Sequence, residues 1–173
     1  SKGDMLWDYL MEIGAPMGLQ PGHTSSIRRI EAAMLSYHAD MDINTNPFEL
    51  GLDRLIDLDM DADFVGKDAL RQIKLAGVKR RQIGLVIDGQ PLAQPNTRFW
   101  PLSIAGQPIG KVTSAVYSPQ LKKNIALAMV DSAHALLGTE FSVSAAQVDR
   151  VAVAVEKPFY DPKKLIAKNV TAT

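Results

Sequence analysis

The apolar positions change period near Gly77. Before it they recur at helical spacing, and after it they form short runs divided by Gly and Pro. Met5, Leu6, Tyr9, Leu10 and Ile13 make one stripe at i, i+3, i+4, which predicts a helix over 4–13 with Asp4 as its cap. Gly14 and Pro16 end it. A second helix is expected over 24–34, capped by Thr24 or Ser25, with Ile27, Ile30, Met34 and Leu35 on one face. Asn44-Thr45-Asn46-Pro47 reads as a loop, since the residue before proline avoids the helical region. Phe48, Leu50, Leu52, Leu55, Ile56 and Leu58 predict a turn and then a strand. A third helix over 64–76 would start at an Asp63 cap, end at Gly77 and turn a solvated lysine-rich face outward. Six strands follow, at 82–87, 99–104, 108–117, 125–130, 140–143 and 151–156, with Ala105-Gly106-Gln107 as a hairpin turn. Strands of this length and spacing suggest a small antiparallel barrel or sandwich. The fold class is therefore α+β, a mostly helical N-terminal segment followed by an antiparallel β unit.

Composition narrows the function classes. The 173 residues include 19 basic and 19 acidic side chains, so the formal net charge is zero. Phosphate-backbone binding needs a basic excess, so no nucleic-acid partner is expected. No apolar run approaches the ~20 residues of a membrane-spanning helix. The chain has no cysteine, which removes disulfides, thiol nucleophiles and cysteine-held metals, and fits a reducing, cytoplasmic compartment.

Most composition-level sites fail on spacing. The run Asp57, Asp59, Asp61, Asp63 resembles a calcium loop, but from Asp57 the glycine position is Ala62 and the closing position is Asp68, and from Asp59 they are Phe64 and Leu70. His23, His38 and His134 lack partners at ligand spacing, so no metal site is expected. Gly66-Lys67 and Gly110-Lys111 are not phosphate loops, and Ser114 and Ser118 lack a nucleophile elbow. Two clusters remain. Arg29 and Glu31, followed by Tyr37, sit at i, i+2 and cannot face each other on a helix, so each needs another partner. They make either ordinary structural ion pairs or the charged wall of a pocket. Glu49, set between Phe48 and Leu50, must be paired or exposed.

The order of motifs resembles the glycine-cleavage T-protein (aminomethyltransferase) family. Residues Arg29 to Tyr37 are similar to its Arg-Leu-Glu-Ala-Gly…Tyr helix, with Ala33 at the family's glycine. Asp40-Met41-Asp42 resembles its Asp-x-Asp element, and Asn46-Pro47-Phe48-Glu49 its Pro-x-Glu loop. Asp63 to Leu70 resembles its Asp-Phe-Ile-Gly-Arg-Glu-Ala-Leu helix start. Gly110 to Leu121 resembles its Gly-x-Val-Thr-Ser-Gly hairpin, and the runs from Ile125 to Val130 and Lys157 to Phe159 its closing strands. Within the family, Leu35-Ser36-Tyr37, Asn46 to Glu49, Gly51-Leu52-Asp53 and Ile73-Lys74-Leu75 resemble the tetrahydrofolate-dependent dimethylsulfoniopropionate demethylases most. An Arg-Asp pair that classical members carry, its Arg a folate-site residue, is Ser25-Ser26 here.

The resemblance implies one-carbon (methyl) transfer to tetrahydrofolate, of the demethylase kind, with no metal and no covalent enzyme intermediate. A sulfonium methyl is already activated, so orientation suffices. The alternatives are the aminomethyltransferase of the glycine cleavage system, the folate domain of a dimethylglycine or sarcosine oxidase, and a non-catalytic module with the same fold. The implied organisation is 1–77 as the helical C-terminal part of a split, folate-binding α/β middle domain, 78–160 as the β-barrel, and 161–173 as a polar tail. Arg29, Glu31, Tyr37 and Glu49 would be folate or substrate pocket walls or domain-interface residues, with no direct catalytic residue among them. The family's N-terminal half would be absent and the isolated chain inactive. Leu6, Leu10 and Ile30 would then be exposed apolar positions covered by a homodimer or a swapped element.

Overall fold

A computed structural model describes residues 2–22, 25–145, 148–163 and 165–166. The helices are α1 (Lys2–Gly14), α2 (Ser26–Glu31) and α3 (Lys67–Ala76). The strands are β1 (Arg80–Ile87), β2 (Trp100–Ile104), β3 (Gln107–Ser118), β4 (Lys123–Asp131), β5 (Glu140–Ala145) and β6 (Val148–Val155). They close into an antiparallel barrel in the order β1-β4-β3-β2-β5-β6. All six predicted strands are present within a few residues of their expected limits, and the barrel rather than the sandwich is the outcome. Closure leaves no open sheet edge.

Burial along β4 explains how helix and barrel meet. Every residue from Asn124 to Val130 is buried, although a strand alternates its side chains between faces. Ala126, Ala128 and Val130 point into the barrel core with Leu85, Leu102, Val112 and Val143. Ile125 and Leu127 point outward and join Ile30 of α2 and Val116 of β3 in a second cluster. The helix thus covers one outer wall of the barrel. Ile30 is only 1% exposed, so the expectation that it awaits a second chain is overturned: its own barrel covers it. Leu6 and Leu10 of α1 are exposed.

Four local expectations are corrected. The segment 48–58 is not a strand but turns and one 3-10 turn (Asp53–Leu55). Phe48, Leu50 and Leu58 are buried as single anchors while Leu55 is exposed, and the closed barrel has no edge for a further strand. Asp63 does not cap α3; its carboxylate accepts from the N–H of Phe64, and Gly66, at φ 92°, occupies the cap. Lys67 is buried rather than solvated, its ammonium donating to the carbonyls of Met60 and Ala62. Asp4 lies inside the first turn of α1, which begins at Lys2. Thr24 and His23 fall outside the described residues, as does most of the expected tail; Ser25 is the cap that is described, accepting from the Arg28 N–H.

Helix α2 also ends earlier than expected, at Glu31, because Ala33 turns left-handed with φ 53°. A Cβ strains that conformation, and glycine relieves it. Ala33→Gly is therefore expected to raise stability by about 1 kcal/mol in urea unfolding. A destabilised variant would mean that packing of the alanine methyl outweighs the strain.

Candidate functional site

The extra residue of a β-bulge builds the central feature. In the β3–β4 register Val112 faces Ala128 and Ser114 faces Leu127, so Thr113 is unmatched. Neighbouring strand residues ordinarily face opposite sides; the bulge lets Thr113 and Ser114 reach the same group. That group is Asp40, whose side chain has no exposed surface. Its Oδ1 accepts from Thr113 Oγ1 at 2.6 Å and from Ser114 Oγ at 2.7 Å. Its Oδ2 accepts from Arg29 Nη1 at 2.6 Å and from the Ser36 N–H at 3.0 Å. Arg29 Nη2 donates to Ser114 Oγ at 2.9 Å, and Nη1 also reaches the Met34 carbonyl at 3.1 Å. A buried carboxylate needs such saturation.

Glu31, two residues on, points elsewhere. Its Oε1 accepts from Ser118 Oγ at 2.5 Å, and that hydroxyl accepts from the Leu121 N–H. The Glu31 carbonyl accepts the N–H groups of Phe159 and Tyr160. Helix α2 is therefore fastened at both ends of one turn, to the bulge by Arg29 and to the far end of β3 and the C-terminal segment by Glu31.

Glu49 is paired with Arg80, whose Nε donates to its Oε1 at 2.8 Å, and its Oε2 accepts the Asn46 N–H at 3.0 Å. The Glu49 hydrogen bond raises the Arg80 guanidinium above its ordinary value. Tyr37 differs from the other three. It is 54% exposed, its ring meets His38 edge-on with centroids 4.4 Å apart, and it opens on a 450 Å³ cavity with His38, Asn96, Arg98 and Phe99 in the walls. The structure thus brings Arg29 and Glu31 onto β3, places Glu49 beside β1, and leaves Tyr37 at a cavity mouth.

Sequence reading missed Asp40, Thr113 and Arg80 as site residues, and considered Ser114 and Ser118 only as nucleophiles. A signal was present. Thr113, Ser114 and Ser118 stand among the apolar residues Val112, Ala115 and Val116 of β3, and buried hydroxyls require partners.

Lys157 is a further group that spacing did not flag. Its ammonium donates to Gln82 Oε1 and to the Leu50 carbonyl. Burial is the main cause that lowers it to about 8, helped by the positive charge of Arg81 and opposed by Asp40. A folded-state value below the unfolded one, for a base, means the unfolded chain binds more protons between them. Stability contributed by Lys157 should therefore rise as pH goes from about 8 to about 10.4, the ordinary lysine value. Thermal melts of the parent minus Lys157→Met across that window should show the rise; a flat difference would remove the buried-amine assignment.

Among the described residues, no three His, Asp or Glu side chains are grouped to hold a metal ion. No helix among the described residues is long and apolar enough to cross a membrane.

Residues 80–161 match the family described as the Glycine cleavage T-protein C-terminal barrel domain, and residues 1–60 match the GCVT N-terminal domain. An aminomethyltransferase of Synechococcus sp. (strain CC9902) is 42% identical over 159 residues, covering 91% of this chain and 42% of the relative. That of Synechococcus sp. (strain RCC307) is 42% identical over 161 residues, covering 92% of this chain and 43% of the relative. The chain spans less than half the length of these curated relatives. The crystal structure of glycine cleavage system aminomethyltransferase T from Bartonella henselae shares the fold with a TM-score of 0.69 at 24% identity, over 78% of this chain and 37% of that one. With the helical segment and the barrel each matched, in that order, and relatives aligned along nearly the whole sequence, the chain belongs to the glycine-cleavage T-protein family.

Proposed function

We propose that the chain is the C-terminal portion of a tetrahydrofolate-dependent aminomethyltransferase of the glycine cleavage type. The observation that carries the reading is the fastening of the helical segment to the barrel through Arg29, Asp40 and the bulge, which ties together the two parts that the family comparison matches separately. In this reading 1–77 completes a folate-binding middle domain and 78–160 is the barrel beside it. The names of the relatives weigh toward aminomethyl transfer and away from the sulfonium demethylation that the motifs suggested.

The residues present fit a folate unevenly. Arg29, Glu31 and Glu49 already hold internal partners, so they serve the interface and not the ligand. Tyr37 and Phe99, exposed beside Arg98, offer aromatic surface and a donor that suit a planar heteroaromatic ring, while Asn96 is committed to the Arg98 and Thr113 carbonyls and Lys111 lies over the Phe99 ring. Tetrahydrofolate, when bound, supplies the nitrogen that accepts the one-carbon unit. Tyr37 and Phe99 would orient its ring, and Arg98 would meet an acidic group.

Calorimetry of tetrahydrofolate with this chain tests the assignment. Binding weakened about tenfold or more by Tyr37→Ala is expected, as for loss of one stacking partner. Binding unaffected by Tyr37→Ala and Phe99→Ala would move the folate elsewhere. For the donor, transfer to tetrahydrofolate by the full-length gene product should proceed from a glycine-derived aminomethyl group and not from dimethylsulfoniopropionate; the reverse preference would restore the demethylase reading.

A further inference from the structure

A cavity of 770 Å³ opens between the residues after α2, the turn at 50–54 and the segment 157–163. Its charged lining is Arg54, Lys157 and Lys163, and among the described residues no carboxylate lines it. The remaining walls are apolar side chains and backbone, Leu35, Leu50 and Pro158 among them. A concave, apolar site of this size with cations alone suits a small organic anion.

Lys157 is set apart from the other two cations. Its ammonium is held only by neutral acceptors, Gln82 Oε1 and the Leu50 carbonyl, and among the described residues no carboxylate pairs with it. The charges that act on it are Asp40, which favours the ammonium, and Arg81, which opposes it. Arg54 and Lys163 line the same cavity, and the nearby Glu49 is committed to Arg80. A lysine whose ammonium is disfavoured by burial, with Arg81 adding to the effect, is the arrangement that yields a nucleophilic free amine.

We propose that this cavity binds a small α-oxo acid, with Arg54 and Lys163 taking its carboxylate and the Lys157 amine adding to its carbonyl carbon. The nitrogen lone pair forms the C–N bond while the carbonyl π pair moves to oxygen. A proton passes from nitrogen to that oxygen, and the carbinolamine loses one water to leave an imine. No oxidant or reductant enters. The low proton affinity of the Lys157 amine supports the step, since a value near 8 leaves a substantial free-amine fraction at neutral pH. The inference does not depend on where folate binds.

The test is reductive trapping on the full chain. Glyoxylate and cyanoborohydride are added near neutral pH, and peptide mass spectrometry locates the resulting carboxymethyl groups. Lys157 should be labelled at least about tenfold faster than the exposed Lys74 and Lys122, because an amine two units more acidic than an ordinary lysine is roughly a hundredfold richer in free base. Acetaldehyde, which lacks the carboxylate, should reduce that preference several-fold. Arg54→Ala, an exposed substitution, should do the same without changing labelling at Lys74 or Lys122. Labelling of Lys157 no faster than of the surface lysines would overturn the nucleophile. Equal preference with acetaldehyde, or none lost in Arg54→Ala, would overturn the anion site.

Discussion

Asp40→Ala is expected to lower stability by about 3 kcal/mol, the lower end for removing one partner of a buried ion pair. The low end applies because Arg29 keeps a quarter of its side chain exposed and can recover some hydration. The loss has several parts. Arg29 would retain only Ser114 and the Met34 carbonyl, and the Ser36 N–H would lose its acceptor. The hydroxyl of Thr113 would fall back on the Leu127 carbonyl, 3.0 Å away. In a domain of this size the shift corresponds to roughly 6–12 °C in melting temperature. Asp40→Asn should lose about 2 kcal/mol, since one oxygen still serves the hydroxyls while the amide sets donors against Arg29 and Ser36. Urea unfolding of both variants decides the matter. Losses under 1 kcal/mol in each would show that the helix is held by Ile30 and its neighbours alone.

Gly110→Ala should be comparably severe for a different reason. A Cβ there would stand 2.3 Å from the Met129 carbonyl oxygen and 2.8 Å from the Val130 Cα. Both are backbone atoms of β4, and Gly110 is paired with Val130 in the ladder. Relief requires β3 and β4 to separate within the closed barrel, so a cost of about 3 kcal/mol or more is expected. Gly106→Ala is the control. Gly106 also has a positive φ, 80°, but open space around it, so that variant should lose only about 1 kcal/mol. Equal losses in the two variants would mean that backbone conformation, not crowding between strands, governs Gly110.

The barrel was legible because its strands carry their own signal. Ala126, Ala128 and Val130 share one face, and Gly106 marks the turn between β2 and β3. The end of α2 was less legible. Ile27, Ile30, Met34 and Leu35 continue the helical period past the point where Ala33 breaks it, because period reports burial and not φ. The segment 48–58 misled in the same way: Phe48, Leu50 and Leu58 bury themselves without any strand pairing. For the site, i, i+2 geometry on a helix foretold that Arg29 and Glu31 would take separate partners, and they take Asp40 and Ser118. It could not name those partners.

Local order along the chain was enough for the helices and the six barrel strands, their sequence and the polar residues that demand company, since propensity and period act between neighbours. Asp40 meets Thr113 across 73 residues and Ser114 across 74, and Glu31 meets Ser118 across 87. Those encounters depend on a bulge that shifts β3 by one residue and on a barrel whose outer wall α2 happens to cover. One residue of register reverses which side chains face the helix, so the buried network, the exposed Tyr37 and the buried Lys157 came into being only when the strands closed.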